Sequence, residues 1–295
     1  LTGQIGRPTD DYKVMLSGME QIIREITLLD EGTYGIVYTL TLDNGAKFLV
    51  KLSKSENAND KIEEYYLVDK IPKECKSILP IRRFGTKSVM MLYADTDFRN
   101  IWLEDRVILD IIKIIGNSLL CLMKSDLYYF DLKMDNILYR CLDGKNIEIF
   151  LADLGSMKTD GENEYAATYA PIEFMGEPGG YSYDQQIYNN FDNNRLSKSH
   201  QDGFINPDKM TIEDVEKSYV WILCLLYIEL KGLQTNSLYL RNYLNRLIYS
   251  ADYKTYKEGV LFLRNDNNID ENIRKVFSVN KSERTMLREF MRSLN

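Results

Sequence analysis

The sequence predicts an α+β fold with two lobes: a small antiparallel β lobe that carries one main helix, followed by a larger helical lobe. Strand-like runs concentrate before residue 95, and long apolar runs with helical spacing follow it. The chain has 295 residues, of which 44% are hydrophobic, so it can bury a sizeable core. The order of the runs favours two lobes over two independent domains.

The chain starts with an amphipathic segment. Between residues 11 and 26, apolar side chains recur at Val14, Met15, Met19, Ile22, Ile23 and Ile26. This spacing predicts a short helix, so we expect residues 1–25 to form an N-terminal helical extension.

Residues 26–95 are predicted to form the small lobe. Its strands correspond to four β-rich runs, at 36–42, 47–52, 78–84 and 88–93. Asn44-Gly45 lies between the first two runs, and Asn-Gly in this position is a strong signal for a β-hairpin. A run with helical spacing at 62–68 predicts the main helix of this lobe.

Residues 96–295 are predicted to form the larger lobe. Its expected elements are two buried helices and a pair of short strands, at 101–123, 211–230, 136–141 and 147–152. Thr211 is the expected N-cap of the second helix, with Asp214 in the first turn. The stretch 176–210 is rich in Gly, Asn, Tyr and Ser and predicts a long loop or insert.

Composition excludes several classes of function. The net charge of −7 argues against nucleic acid or an anionic membrane as the main partner. A histidine-dependent triad or zinc site would need the single histidine, His200. The four cysteines form no CxxC pair, so we expect free thiols and a cytoplasmic location, with a host cell as one setting. No uncharged run is long enough to span a bilayer.

Two candidate phosphate-binding features lie in the small lobe. Gly32 and Gly35 stand between two predicted strands, where glycine lets backbone N–H groups approach an anion closely. An ordinary glycine turn is the alternative. Lys51 ends the next strand and could meet a phosphate, or it could be a solvated lysine of an edge strand.

Two polar motifs follow in the larger lobe. Asp131, Lys133 and Asn136 place a carboxylate, a cation and an amide oxygen on one short loop, as phosphoryl transfer with Mg²⁺ requires. Asp153 follows an apolar run, where a carboxylate is costly unless it is paired or bound to metal. A surface turn and a capping aspartate are the respective alternatives.

The order and spacing of these four motifs resemble the signature set of eukaryotic-type protein kinases, over roughly residues 26–295. The resemblance implies transfer of the γ-phosphate of ATP, with Mg²⁺, to protein substrates. Asp131-Leu132-Lys133 resembles Ser/Thr kinases more than Tyr kinases. By resemblance, Asp131 is the catalytic base, Lys133 neutralises the γ-phosphate, and Asn136 and Asp153 bind Mg²⁺.

The resemblance also implies a nucleotide site. Lys51 would pair with the ATP phosphates and with Glu64, for which Glu63 is the alternative. Val37 would pack on adenine, Met91 would guard the back of the pocket, and the backbone at the end of the last small-lobe strand would hydrogen-bond adenine. The residues implied to hold the nucleotide are Gly32, Gly35, Val37, Lys51, Glu64, Met91, Leu92 and Ala94.

Three departures from the family pattern affect these expectations. Asp30 occupies the position of the first glycine, which should stiffen the entrance of the loop. Residues 168–173 resemble the end of the family's activation segment. Tyr129 and Phe130 stand where the family has His-Arg, and without that arginine a phosphorylated activation segment loses its usual charge partner. We therefore expect activity that does not require phosphorylation of this segment. Tyr219 replaces an aspartate that supports the catalytic loop, so we expect packing of these aromatic side chains to rebuild that support.

Two other functions remain open from the sequence. One is a pseudokinase that binds or scaffolds partners, which the departures favour but the intact lysine and metal positions oppose. The other is a small-molecule phosphotransferase of related fold. Lys133 and the sequence Ala-Pro-Ile-Glu at 170–173 favour a protein over a small molecule as substrate.

Overall fold

The computed structural model describes residues 12–16, 19–31, 35–55, 61–95, 98–129, 131–141, 147–157, 169, 211–248, 253–278 and 280–294. The chain divides into two compact units. The first unit comprises Leu1–Pro72, Ile78–Asp95 and Ala152–Gly155, and the second comprises Lys73–Ser77, Thr96–Leu151 and Ser156–Asn295. The predicted insert at 176–210 lies outside the described residues.

A six-stranded antiparallel sheet dominates the first unit, with strand order β1-β2-β3-β4-β6-β5. Its elements are β1 (Tyr12–Leu16), β2 (Met19–Glu31), β3 (Gly35–Leu42), β4 (Lys47–Ser53), the short helix α1 (Glu63–Leu67), β5 (Ile81–Phe84) and β6 (Ser88–Leu92). The expected hairpin joins β3 to β4. Gly45 adopts φ of 82° there, and the Leu42 N–H donates to the Ala46 carbonyl over 2.8 Å. The Asn-Gly prediction is therefore confirmed.

The predicted N-terminal helix is wrong, because its described residues lie in β1 and the first half of β2. Ile23 pairs with Leu42 and Ile26 pairs with Leu40 across the β2–β3 ladder. Ile23 also belongs to a buried apolar cluster that includes Val50. The other members of this cluster lie farther along the chain. The isoleucines of the segment suit a strand as well as a helix, so pairing with distant strands determines its secondary structure.

The second unit contains six helices among its described residues. They are α2 (Asp105–Met123), α3 (Ile212–Gln234), α4 (Leu238–Ile248), α5 (Tyr253–Asn265), α6 (Glu271–Val276) and α7 (Leu287–Ser293). The two-stranded sheet β7 (Ile137–Cys141) and β8 (Ile147–Leu151) completes the unit.

Helix α3 is the buried centre of the second unit. It begins with the expected cap: the Thr211 hydroxyl accepts the Asp214 N–H over 3.2 Å, and the Asp214 carboxylate accepts the Thr211 N–H over 2.9 Å. Such a reciprocal pair satisfies two N–H groups that the helix itself cannot. Near the other end, Lys231 forms an ion pair of 2.6 Å with Asp105 at the start of α2. Among the described residues, no helix is long and apolar enough to cross a membrane.

The expectation of four free thiols is wrong. Cys75 and Cys121 form a disulfide, whereas Cys141 and Cys224 are free. The bonded cysteines are 46 positions apart in the sequence. Their pairing depends on the fold placing segment 73–77 against α2, which local sequence patterns do not reveal.

Candidate active site

One face of the first-unit sheet collects several of the predicted nucleotide residues. Lys51 in β4 lies directly opposite Val37 in β3 and Val89 in β6. Leu49, two residues before Lys51, lies opposite Met91. Directly opposed residues of an antiparallel pair point to the same side of a sheet, and so do residues two apart along a strand. Val37, Lys51 and Met91 therefore share one face.

Lys51 joins two carboxylates on that face. Its ammonium group donates to the Glu64 carboxylate and, over 3.0 Å, to Asp153 Oδ1. The Lys51 side chain is 15% exposed, Glu64 is buried, and the Asp153 side chain is 49% exposed. The neighbouring Glu63 is exposed. The structure thus brings Glu64, the preferred candidate, to Lys51, and adds Asp153 to the pair.

The electrostatic surroundings keep Lys51 charged. Burial by itself lowers the pKa of Lys51, because the charged form loses hydration. The nearby carboxylates of Glu64 and Asp153 outweigh this effect, and the pKa of Lys51 is raised overall. Lys51 is therefore a fixed cation at neutral pH.

The turn after β8 makes room for this arrangement. Asp153 adopts φ of 48°, in the left-handed region that aspartate tolerates better than most residues. A Cβ atom placed on Gly155 would lie 3.2 Å from the carboxylate oxygens of Glu64. The glycine two positions after Asp153 therefore leaves the space that Glu64 occupies.

The glycine loop is only partly described. Gly35 begins β3, and a Cβ atom there would lie 2.7 Å from the carbonyl oxygen of Leu52. Glycine at this position lets β3 and β4 approach closely. Gly32 lies outside the described residues. Asp30, at the position of the missing glycine, uses its carboxylate to accept the Glu31 N–H over 2.8 Å.

The end of β6 contains the remaining nucleotide candidates. Met91 is buried, and so is Ala94 just beyond the strand. Leu92 lies opposite Phe48, and its side chain points to the other face of the sheet from Lys51. On the face of Lys51, this segment therefore offers the Met91 side chain but not the Leu92 side chain.

The second unit carries a compact polar loop before β7. The Lys133 ammonium lies 3.2 and 3.1 Å from the two carboxylate oxygens of Asp131. The Asn136 amide nitrogen donates to the Asp131 backbone carbonyl over 2.7 Å and to its Oδ2 over 2.9 Å. Asn136 is 5% exposed and ends a 3₁₀ turn, Met134–Asn136, that leads directly into β7. These contacts fix the orientation of the Asp131 carboxylate.

A buried tyrosine supports the segment that leads into this loop. The Tyr219 hydroxyl on α3 accepts the backbone N–H of Tyr129 over 2.8 Å. Both side chains are fully buried. Burial raises the pKa of Tyr219, so its hydroxyl stays protonated. The support expected from Tyr129 and Tyr219 therefore includes a hydrogen bond, while Phe130 lies outside the described residues.

Sequence reasoning missed the role of Glu229. The Tyr169 hydroxyl donates a hydrogen bond to its carboxylate. Burial raises the pKa of Glu229 to about 7, and the negative charge of Asp135 adds to the effect. The sequence signal that could have indicated Glu229 is a carboxylate within an otherwise apolar stretch of α3. Tyr169 is the one described residue of the 168–173 segment.

The donor atoms suit Mg²⁺ held together with phosphates. Within the described ranges, no three or more His, Cys, Asp and Glu side chains cluster as a metal site. The first unit instead offers the carboxylate of Asp153, and the second unit separately offers the amide oxygen of Asn136. Each is a hard ligand. Mg²⁺ commonly takes one or two such protein ligands and completes its shell with substrate phosphates and water. The residues present therefore fit this ion.

Comparison with solved structures identifies the type of fold. The chain is similar to a crystal structure of the Rad53 kinase domain and SCD2, with a TM-score of 0.50 and 14% sequence identity. The match covers 90% of this chain and 85% of that chain. No protein-family model matches the sequence, and no curated protein does. The chain therefore has a protein-kinase-like α+β fold, and the predicted fold class is confirmed at that level.

Proposed function

We propose that the chain is an ATP- and Mg²⁺-dependent protein kinase that transfers the γ-phosphate of ATP to Ser or Thr of protein substrates. The observation that carries this proposal is the contact of Lys51 with both Glu64 and Asp153. Protein kinases need a strand lysine paired with a helix glutamate, together with a metal-binding aspartate. The contacts of Lys51 with Glu64 and Asp153 support the proposal because they match this arrangement.

The first unit supplies the groups that would hold the phosphates. Lys51 offers a largely shielded cation whose orientation two carboxylates fix. The half-exposed Asp153 uses one oxygen for Lys51, and its carboxylate would also hold Mg²⁺. When bound, Mg²⁺ supplies positive charge that neutralises the phosphate oxygens.

The second unit supplies the groups that would accept the substrate. Asp131 would take the proton of the attacking hydroxyl as the new O–P bond forms and ADP leaves with the electrons of the broken bond. Asn136 holds the carboxylate in place through its amide nitrogen. Lys133, within 3.2 Å of the same carboxylate, would offset negative charge on the transferred group.

The proposal includes two more specific expectations: the substrate is a protein, and activity does not require phosphorylation of the activation segment. Asp131-Leu132-Lys133 and the segment 168–173 support a Ser/Thr protein substrate through their resemblance to the family. Tyr129 and Phe130 provide no arginine to bind a phosphorylated activation segment, so activity should survive phosphatase treatment. A large loss of activity after that treatment would contradict this part.

The test is transfer of labelled phosphate from ATP, with Mg²⁺, to generic protein substrates and to the chain itself. Asp153→Ala should reduce transfer about a hundredfold or more. Asp110→Ala is the matched control, because its side chain is 52% exposed, close to the 49% of Asp153, and lies on α2. The control should retain activity.

Each other outcome selects a different function. ATP-dependent thermal stabilisation without transfer would indicate a pseudokinase. Transfer to small molecules alone would indicate a small-molecule phosphotransferase. Mapping of phosphorylated sites would decide between Ser/Thr and Tyr, and phosphotyrosine alone would overturn the proposed specificity.

A further inference from the structure

Helices α2 and α7 line two adjacent cavities in the second unit, of about 270 and 300 Å³. Both cavities are lined by Asn117, Leu120 and Arg288. The first also contacts Lys113, Met291 and Arg292. The second, called here the Cys121 cavity, also contacts Cys121 and Lys124.

These cavities are basic although the chain as a whole carries a net charge of −7. The described lining of the Cys121 cavity contains Lys124 and Arg288 and no acidic side chain. The Nε atom of Arg288 lies 3.9 Å from Oε1 of Glu216, so their ion pair is weak. Two-thirds of the Arg288 side chain is exposed. The Cys121 cavity therefore attracts anions.

The disulfide presents one of its two cysteines to this basic cavity. Cys121 lines the cavity and is partly exposed, whereas Cys75 is buried with 6% exposure. In thiol–disulfide exchange, the attacking group is a thiolate and the sulfur it can reach decides the product. An incoming thiolate would therefore meet Cys121 first.

We propose that the Cys121 cavity is a thiol-exchange site for small thiols that carry a carboxylate, and that Cys121 is the residue they modify. The thiolate attacks Cys121 Sγ, a mixed disulfide forms, and the Cys75–Cys121 bond breaks. Cys75 leaves with the electron pair as a thiolate and takes a proton from water. A second thiolate then releases Cys121 and carries away the first thiol as a symmetrical disulfide.

Exchange at this site would release one attachment of the segment Lys73–Ser77. The disulfide fastens this segment to α2, and the Leu151 N–H fastens it to β8 by donating to the Ser77 carbonyl over 2.9 Å. Only the first of these two attachments depends on the thiol state. This exchange does not depend on the proposed kinase activity.

The experiment compares three two-carbon thiols that differ in charge: mercaptoacetate, mercaptoethanol and cysteamine. The oxidised full-length chain is mixed with each at equal thiolate concentration, and adducts are located by alkylation and peptide mass spectrometry. Because the nucleophilicity of a thiolate also depends on its pKa, each rate is divided by the rate of the same thiol with a small uncharged disulfide. By this ratio, mercaptoacetate should open the protein disulfide about tenfold faster than cysteamine at low ionic strength, and salt should shrink the difference. The adduct should lie on Cys121.

Charge removal tests whether the cavity, rather than the general surface, directs the reaction. Lys124→Gln and Arg288→Gln should each slow mercaptoacetate, whose reactive form carries two negative charges, about threefold and leave cysteamine, whose thiolate form carries no net charge, nearly unchanged. Lys113→Gln is the matched control, because Lys113 lines only the neighbouring cavity. It should change neither rate.

Four results would overturn the proposal. They are alkylation of all four cysteines in the oxidised chain, equal rates for the three thiols, an adduct on Cys75, or an equal effect of Lys113→Gln. The first would show that the disulfide does not form. The others would show that Cys121 is not the site of attack or that the cavity does not favour thiols with a carboxylate.

Discussion

The two polar groups proposed for phosphoryl transfer are built in opposite ways. In the second unit, Asp131 and Asn136 lie five positions apart and orient each other directly. In the first unit, Lys51 meets Glu64 across 13 positions and Asp153 across 102. One group is a local loop, and the other exists only once a sheet, a helix and a distant turn have assembled.

This difference determines what each group is sensitive to. The loop needs its own hydrogen bonds and the support that Tyr219 gives from α3. The assembled group needs the sheet register that places Lys51, the position of α1, and the missing side chain at Gly155. We therefore expect the assembled group to respond to changes at more places along the chain.

Apart from removal of Asp153 itself, the largest effect should come from breaking the assembled group at Glu64. Glu64→Gln removes the charge that orients Lys51 from the buried side, while Asp153 continues to hold the ammonium. We expect phosphate transfer to fall about 10- to 100-fold, because misplacement of the lysine weakens contacts made in the transition state. Steady-state kinetics at saturating ATP would measure this.

Glu63→Gln is the matched control for that change. Glu63 is adjacent in sequence and exposed, so its replacement should leave transfer unchanged. Equal losses in the two variants would show that general charge on α1, rather than the Lys51 contact, is responsible. Unchanged activity in Glu64→Gln would show that the local loop alone governs transfer.

Features set by neighbouring residues could be predicted from the sequence. The hairpin at Asn44-Gly45 and the cap at Thr211 depend on backbone and side-chain groups within a few positions. The residues of the Asp131 loop could be named for the same reason. Leu67 and Val68, three and four positions after Glu64, together with the family resemblance favour Glu64 over Glu63.

Features set by distant partners could not be predicted. Residues 19–31 form a strand because β3 offers an edge to pair with, and the apolar pattern of the segment suited a helix equally well. The Cys75–Cys121 bond depends on contact across 46 positions. The hydrogen bond from the Tyr129 N–H to the Tyr219 hydroxyl could not be predicted either. The residue types indicated that these side chains pack together, but not that the tyrosine hydroxyl takes the place of the missing aspartate as acceptor.

An intermediate effect should come from the support of the local loop. Tyr219→Phe keeps the buried ring and removes the acceptor for the Tyr129 N–H. A buried donor left without a partner costs about 1–3 kcal/mol, and chemical denaturation should show a loss of unfolding free energy in that range.

Tyr239→Phe controls for loss of a tyrosine hydroxyl in general. Tyr239 is 41% exposed, and its hydroxyl accepts only a long bond of 3.4 Å from Asn268, so the change should stay within about 0.5 kcal/mol. An equally small effect at Tyr219 would mean that packing, without the hydrogen bond, supports the loop.

The smallest effect should be a pH dependence that arises beside the local loop, at Glu229. Burial, together with the charge of Asp135, raises the pKa of Glu229 from 4.5 to about 7, and Tyr169 donates to the same carboxylate. Between these two pH values the folded chain keeps a proton that the unfolded chain releases, so the free energy of unfolding should fall as pH rises. Glu229→Gln cannot titrate and should flatten this part of the curve, whereas Glu258→Gln, on the exposed side of α5, should not. Denaturant unfolding across the window measures the slope, and a slope unchanged by Glu229→Gln would place the proton elsewhere.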